Sequence, residues 1–463
     1  MTTPPLTSGI LVIFGITGDL VRKKLLPALY YLAGENLLPE QFEIVGLTRR
    51  GTRVEDLLDG LQQELRERGE PADHGTFKRL GSIMRVVTMD MTRAQSFADL
   101  KATLDGIETE RGTCLNRLFY LSIPPHTYGP VIDFMGDSKL GSGCQHGTAD
   151  SRIMVEKPFG YDLESAQELI TRIKRSFTER QIYRIDHYLA KETAQNILTF
   201  RQSNPLFQAV WGSRHISHIV VNAAEAIGIE GRASFYEPTG ALRDLIQSHL
   251  LQVLTLVTME LPDKPTSANV HQEKLKLLQS IKPIKPNEVA TRTVRGQYKG
   301  YRDEAENPDS ITETFARIEV EIDNDRWRGV PVLVQAGKRL ARKDTSIAIG
   351  FGDPAARHNI ANTLVFRLQP DEGISIDLVA KKPGFNDDAE RVEMTFDYHN
   401  AFGEGIHPDA YERVLMDGIR GDQTLFATSD EVLASWRIVD SIVHEWAKGG
   451  DDLIIYEPGL APA

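Results

Sequence analysis

Short apolar runs alternate with amphipathic stretches through the first third of the chain, and the runs at 9–14, 43–47, 84–87, 118–121 and 153–155 read as strands separated by helices. Strands alternating with helices predict a doubly wound parallel sheet, because parallel neighbours need crossover connections. This α/β Rossmann-type domain spans 1–184. Beyond it the texture changes. A helical run begins after Arg184, and 216–222, 314–322, 363–368, 374–379 and 392–398 alternate apolar and polar residues. Period-two alternation of that length predicts a mostly antiparallel sheet with one solvated face, in a larger α+β domain over 185–463. Within it, 241–259 and 431–446 have helical periodicity, while the Pro-rich 261–286 reads as a surface excursion.

A chain of 463 residues is long for one core, which agrees with two domains. Its apolar fraction of 41% and charged fraction of 25% are those of an ordinary globular protein. A net charge of −12 argues against nucleic acid or an anionic membrane as partner, so an anionic substrate needs a local basic pocket. Residues 1–8 lack the basic start and apolar run of a signal peptide, and no apolar stretch reaches membrane-spanning length. The two cysteines, Cys114 and Cys144, are too few and too ordinarily placed for a disulfide framework or a thiolate metal cluster. A cytoplasmic protein is expected.

The first strand passes straight into Gly15-Ile16-Thr17-Gly18-Asp19-Leu20 and a helical pattern over 21–31. Glycines at such a turn let backbone amides approach a pyrophosphate, and the helix start adds the positive end of its dipole. The turn lacks the full G-x-G-x-x-G spacing, and alone it fits an ordinary tight connection equally well. The next strand leads to Arg49 and Arg50, where such a domain meets the adenosine ribose. An acid there would accept from a free 2′-hydroxyl, whereas arginines favour a 2′-phosphate, so NADP is expected. Two solvated loop arginines are the competing reading.

The segment Arg184-Ile185-Asp186-His187-Tyr188-Leu189-Ala190-Lys191-Glu192 carries the substrate chemistry. If Asp186 opens a helix, His187 and Lys191 lie one turn apart and converge on one anion, while Asp186 points roughly 100° away. Alone, the segment reads as a helix cap followed by surface residues. Two further segments accompany it: Glu156-Lys157-Pro158-Phe159-Gly160 after the fifth strand, and Gly240-Ala241-Leu242-Arg243-Asp244-Leu245-Ile246-Gln247-Ser248-His249.

With the turn at 15–20, these three segments make the chain resemble the glucose-6-phosphate dehydrogenase family. The likeness extends to His407-Pro408-Asp409-Ala410-Tyr411-Glu412 and Arg420-Gly421-Asp422-Gln423. It implies a Rossmann domain joined to an α+β domain that dimerises through its sheet, as a homodimer or a dimer of dimers. It also implies oxidation of glucose 6-phosphate to 6-phosphoglucono-1,5-lactone with NADP. By the same resemblance His249 is the base at the C1 hydroxyl and Asp186 holds it. His187, Tyr188 and Lys191 bind the sugar phosphate, and Glu225, Asp244, Lys338 and Lys343 bind the sugar. Gly15, Thr17, Gly18, Asp19, Leu20, Arg49, Tyr128 and Lys157 match the cofactor contacts, with Lys157 near both ligands. The resemblance allows a cis bond before Pro158.

Two residues depart from the family pattern: Ala190 stands for a glycine, which stiffens the expected helix, and Val21 stands for an alanine. Asp244 and His249 are five residues apart, about 140° around an ideal helix, so they share a pocket only along the helix flank. The other histidines show no metal-ligand spacing, and hydride transfer to a nicotinamide needs no metal. The rivals are another sugar oxidoreductase, which has no dianion for His187, Lys191 and Lys343 to hold, and a non-catalytic sugar-phosphate sensor, which has no need to keep both Asp186 and His249.

Overall fold

The computed structural model describes residues 8–144, 149–352, 362–403, 408–450 and 452–462, so the first seven residues and His407 lie outside it. The chain forms two compact units, the first of residues 1–160, 164–190 and 408–429, and the second of 161–163, 191–407 and 430–463. The division is not a single cut at Arg184. The stretch after Pro408 returns to the first unit because its helix Ala410–Arg420 buries Val414, Leu415, Met416 and Ile419 in the same core as Leu118 and Met154.

In the first unit, β1 (Gly9–Phe14), β2 (Phe42–Thr48), β3 (Met84–Thr88), β4 (Asn116–Leu121), β5 (Ser151–Val155) and β6 (Ile182–Ile185) pair in parallel in the order 3-2-1-4-5-6. This is the dinucleotide-binding order, with its switch point between β1 and β4. Every residue of β1 is buried, as a strand covered on both faces requires.

The second unit holds β7 (Ile216–Ala224), β8 (Thr293–Tyr298), β9 (Phe315–Val320), β10 (Val332–Gly337), β11 (Asp344–Phe351), β12 (Asn362–Gln369), β13 (Gly373–Lys381) and β14 (Ala389–Asp397). A short β15 (Phe426–Ala427) pairs antiparallel with β6 in the first sheet, and β16 (Leu453–Tyr456) closes the second. The second sheet runs 14-13-12-11-7-10-9-8-16 and is antiparallel except at β7–β10 and β8–β16.

Three local expectations change. Stretch 261–286 contains the helix Ser267–Ser280, capped by Thr266 and burying Val270, Leu277 and Leu278. Its prolines flank the helix instead of interrupting it. Asp186 opens no helix: residues 187–190 form a turn and the helix Glu192–Ser203 starts after Lys191, so Ala190 stiffens no helix either. Cys114 and Cys144 are joined by a disulfide, with Cα atoms 5.7 Å apart. Pairing needs only spatial approach: Cys114 precedes β4 and Cys144 lies in the connection from β4 to β5, a proximity that sequence spacing does not reveal.

The helix Ser267–Ser280 is fastened by a buried ion pair, with Lys274 Nζ 3.0 Å from Glu431 and His271 Nδ1 2.7 Å from the same carboxylate. Burial pushes Glu431 up, but the Lys274 ammonium and His271 override it and hold the carboxyl below its usual range. Lys274→Met removes the ammonium that offsets this buried carboxylate and should lower the unfolding free energy by about 3–5 kcal/mol in denaturant titration. The depressed pKa means that the pair stabilises the parent above the unfolded carboxyl pKa of about 4.3, and less as pH falls below it. The deficit of the variant should therefore narrow in acid.

Candidate active site

In the first unit the expected residues stand at the carboxyl ends of the parallel strands, where open α/β sheets bind ligands. Gly15 has a φ of +79°, and a Cβ there would run into the Ser122 carbonyl oxygen after β4. Only glycine fits. The Gly18 amide donates to the Gly15 carbonyl at 2.9 Å, tightening the turn, while Thr17 and Asp19 are exposed. Leu20 precedes a π-helical turn, Val21–Leu25. Arg49 and Arg50 are exposed beyond β2 and make no ion pair among the described residues.

At the end of β5, Lys157 is partly exposed and the Lys157–Pro158 bond is cis. Tyr128 is 1% exposed, and its hydroxyl donates to the Glu156 carbonyl oxygen at 3.2 Å, so it fixes the backbone beside Lys157. After β6, Asp186 is 3% exposed and accepts from the Tyr188 amide at 3.0 Å. The His187 ring lies against Tyr188 (5.0 Å between centroids) and parallel to Tyr411 (6.5 Å).

In the second unit, Glu225 follows β7 and Lys338 follows β10, and the parallel register Ala224↔Gly337 brings them together as an ion pair. Lys338 is 2% exposed, and its ammonium also sits 5.1 Å from the centre of the Tyr236 ring. Lys343 is exposed just before β11, and Lys191 bonds Gln369 at the end of β12. Asp244 and His249 lie on the helix Leu242–Leu250, which is π-helical. A π-helix turns less per residue than an α-helix, so its i→i+5 pattern narrows the angle between residues five apart. His249 is 1% exposed. The helix continues as Leu251–Thr258, and Arg201, Trp211 and Trp327 donate to its last carbonyls, those of Leu256, Val257, Thr258 and Met259, at 2.6–2.8 Å. These bonds satisfy the orphan acceptors of a helix end and fix the segment that carries His249.

Sequence reasoning missed one group. Glu156, quoted only as part of the Glu-Lys-Pro turn, accepts from the Tyr120 hydroxyl at 2.5 Å and bonds Tyr411. No spacing links positions 120, 156 and 411, so only the fold reveals the cluster. Among the described residues no group of three or more His, Cys, Asp or Glu could hold a metal ion.

The turn at Gly15 gives a direct test. Gly15→Ala forces a Cβ onto a backbone oxygen at positive φ and should weaken dinucleotide binding by about tenfold or more, read by quenching of intrinsic fluorescence. Gly106→Ala, in the helix Ala94–Arg111 with open space around it, should bind as the parent does.

Two family profiles match in succession: "Glucose-6-phosphate dehydrogenase, NAD binding domain" over residues 12–196 and "Glucose-6-phosphate dehydrogenase, C-terminal domain" over 198–461. The glucose-6-phosphate 1-dehydrogenase of Chlamydia muridarum is 39% identical, covering 96% of this chain and 92% of its own. That of Rhizobium meliloti is 40% identical, covering 97% and 93%. A glucose-6-phosphate dehydrogenase solved with its substrate glucose 6-phosphate superposes with a TM-score of 0.91 at 32% identity, covering 100% of this chain and 97% of that one. With both profiles matched in order and relatives alike along nearly their whole length, this chain belongs to the glucose-6-phosphate dehydrogenase family.

Proposed function

We propose that this chain oxidises glucose 6-phosphate to 6-phosphoglucono-1,5-lactone, using NADP as the hydride acceptor. The observation that carries the reading is the ion pair of Glu225 and Lys338 at the ends of β7 and β10, strands against which the π-helix bearing Asp244 and His249 packs. An acid and an imidazole there suit a polyhydroxylated ring that must lose a proton and a hydride together.

His249 takes the C1 hydroxyl proton as the C1 hydride leaves, which turns C1 into the lactone carbonyl. The family resemblance assigns Asp186 to the support of that base. Glu225, Asp244, Lys338 and Lys343 bind the sugar hydroxyls, and His187, Tyr188 and Lys191 bind the phosphate, since a dianion needs several donors. A nicotinamide, when bound, would supply the hydride acceptor. The glycine cradle at Gly15 suits a pyrophosphate, and the unpaired Arg49 and Arg50 suit a ribose 2′-phosphate over a free hydroxyl. Thr17, Gly18, Asp19, Leu20, Tyr128 and Lys157 complete the cofactor set.

The test is absorbance at the reduced-nicotinamide band. Glucose 6-phosphate should reduce NADP far faster than NAD, and free glucose should react only weakly. His249→Asn should lower kcat by about 10² to 10⁴ with a modest change in KM, and Asp186→Asn by less. Near-parental turnover by His249→Asn would hand the base role to another residue.

We also infer a homodimer formed through the outer part of the second sheet. Edge strand β14 carries exposed Val392 and Met394, with Phe402 exposed in the next helix, and an uncovered apolar edge of this kind invites pairing. Sedimentation equilibrium should give twice the chain mass, and Met394→Glu should move it towards the monomer. A parent that sediments as a monomer rejects this.

A further inference from the structure

The carboxyl of Glu156 has no part in the reaction described above, yet it is half-buried in a set of polar side chains beside Lys157. Its surroundings come from five elements of the first unit. Tyr120, at the end of β4, places its hydroxyl 2.5 Å from Oε1. Tyr411, in the helix Ala410–Arg420, makes a second bond to the carboxyl, and its ring is stacked on His187 and approached by Lys24 at 5.9 Å. Tyr128, in the helix Tyr128–Asp137, holds the Glu156 carbonyl. Lys157 follows in the chain, and Asp186 stands close enough after β6 for its charge to act on Glu156.

This arrangement suits a carboxyl that gains and loses its proton in place. A phenolic hydroxyl both donates and accepts, so two tyrosines keep the acid bonded in either ionisation state and neither leaves an orphaned polar atom. A carboxylate fixed by an arginine would have no such freedom. Burial pushes Glu156 up to about 7, against the pull of Tyr120, Lys157 and Tyr411, and Asp186 adds to the push. The group therefore changes charge within the working range of an ordinary enzyme.

We propose that Glu156 is a positioning residue for Lys157: as the neutral acid it leaves the full charge of the ammonium to an anionic ligand, and as the carboxylate it takes part of that charge away. The inference rests on the assignment of Lys157 to ligand binding made under the proposed function. Its sign follows from electrostatics. When pH rises through the Glu156 titration a negative charge appears beside Lys157, and an anionic substrate binds less well.

The experiment compares KM for glucose 6-phosphate, at saturating NADP, in the parent and in Glu156→Gln from pH 6 to pH 8.5. Taking the ratio of the two at each pH cancels the titrations of the sugar phosphate, His187 and His249. The ratio should be near one at pH 6 and rise to about three- to tenfold, parent over variant, above pH 8. Tyr120→Phe removes a donor that stabilises the carboxylate, so its KM rise should begin at higher pH than in the parent. A structural role alone would move KM equally at every pH. A flat ratio in Glu156→Gln, or a break displaced to lower pH in Tyr120→Phe, overturns the proposal. Should the parent fail to reduce NADP with glucose 6-phosphate at all, the proposed function falls instead.

Discussion

Parallel pairing at the middle of each sheet is the constraint on which the rest depends. Two neighbouring parallel strands must end at the same edge, so whatever residues follow them are gathered without any further device. In the first unit β1 and β4 do this for Gly15 and Ser122, whose close approach leaves no room for a side chain. In the second, an otherwise antiparallel sheet contains the parallel pair β7–β10, and that pair brings Glu225 and Lys338 into an ion pair. Gly15, Glu225 and Lys338 thus sit just past strand ends, where the hydrogen-bonded ladder holds them within narrow limits.

The second device is a helix that departs from the usual repeat. Leu242–Leu250 adopts i→i+5 bonding, while the following Leu251–Thr258 is an ordinary α-helix. A π turn is strained unless its surroundings impose it, and here the far end of the rod is pinned by Arg201, Trp211 and Trp327. Burial pushes the Arg201 guanidinium down to about 9, yet the helix-end carbonyls it serves supply the negative pole that keeps a cation there reasonable.

Legibility in the sequence followed the range of the interaction concerned. Buried runs such as Gly9–Phe14 are set by their own hydrophobicity, so the first five strands could be read directly, and so could the glycine turn after β1, whereas the short β6 and β15 could not. The segment at 184–192 misled, because apolar and polar spacing allowed a helix where the chain instead turns, with Asp186 accepting from the Tyr188 amide. Asp244 and His249 could be named but not placed, since no periodicity announces a π-helix. The clustering of Tyr120, Glu156 and Tyr411 was invisible for a simpler reason: contacts between residues far apart in the chain leave no trace in local pattern.

The return of residues 408–429 to the first unit has a consequence for synthesis on the ribosome. The cofactor-binding core includes Val414, Leu415, Met416, Ile419 and Phe426 alongside Leu118, Met154 and Tyr183. Those late residues emerge only after nearly all of the second unit has been made, so the nascent amino-terminal portion must wait with an apolar face uncovered. A piece cut at Arg184 would keep β1 to β5, truncate β6, and lose both the helix Ala410–Arg420 and the edge strand β15. The halves of this enzyme are therefore separable in description and not in manufacture, and a chaperone that shields that face would have its work at this stage of translation.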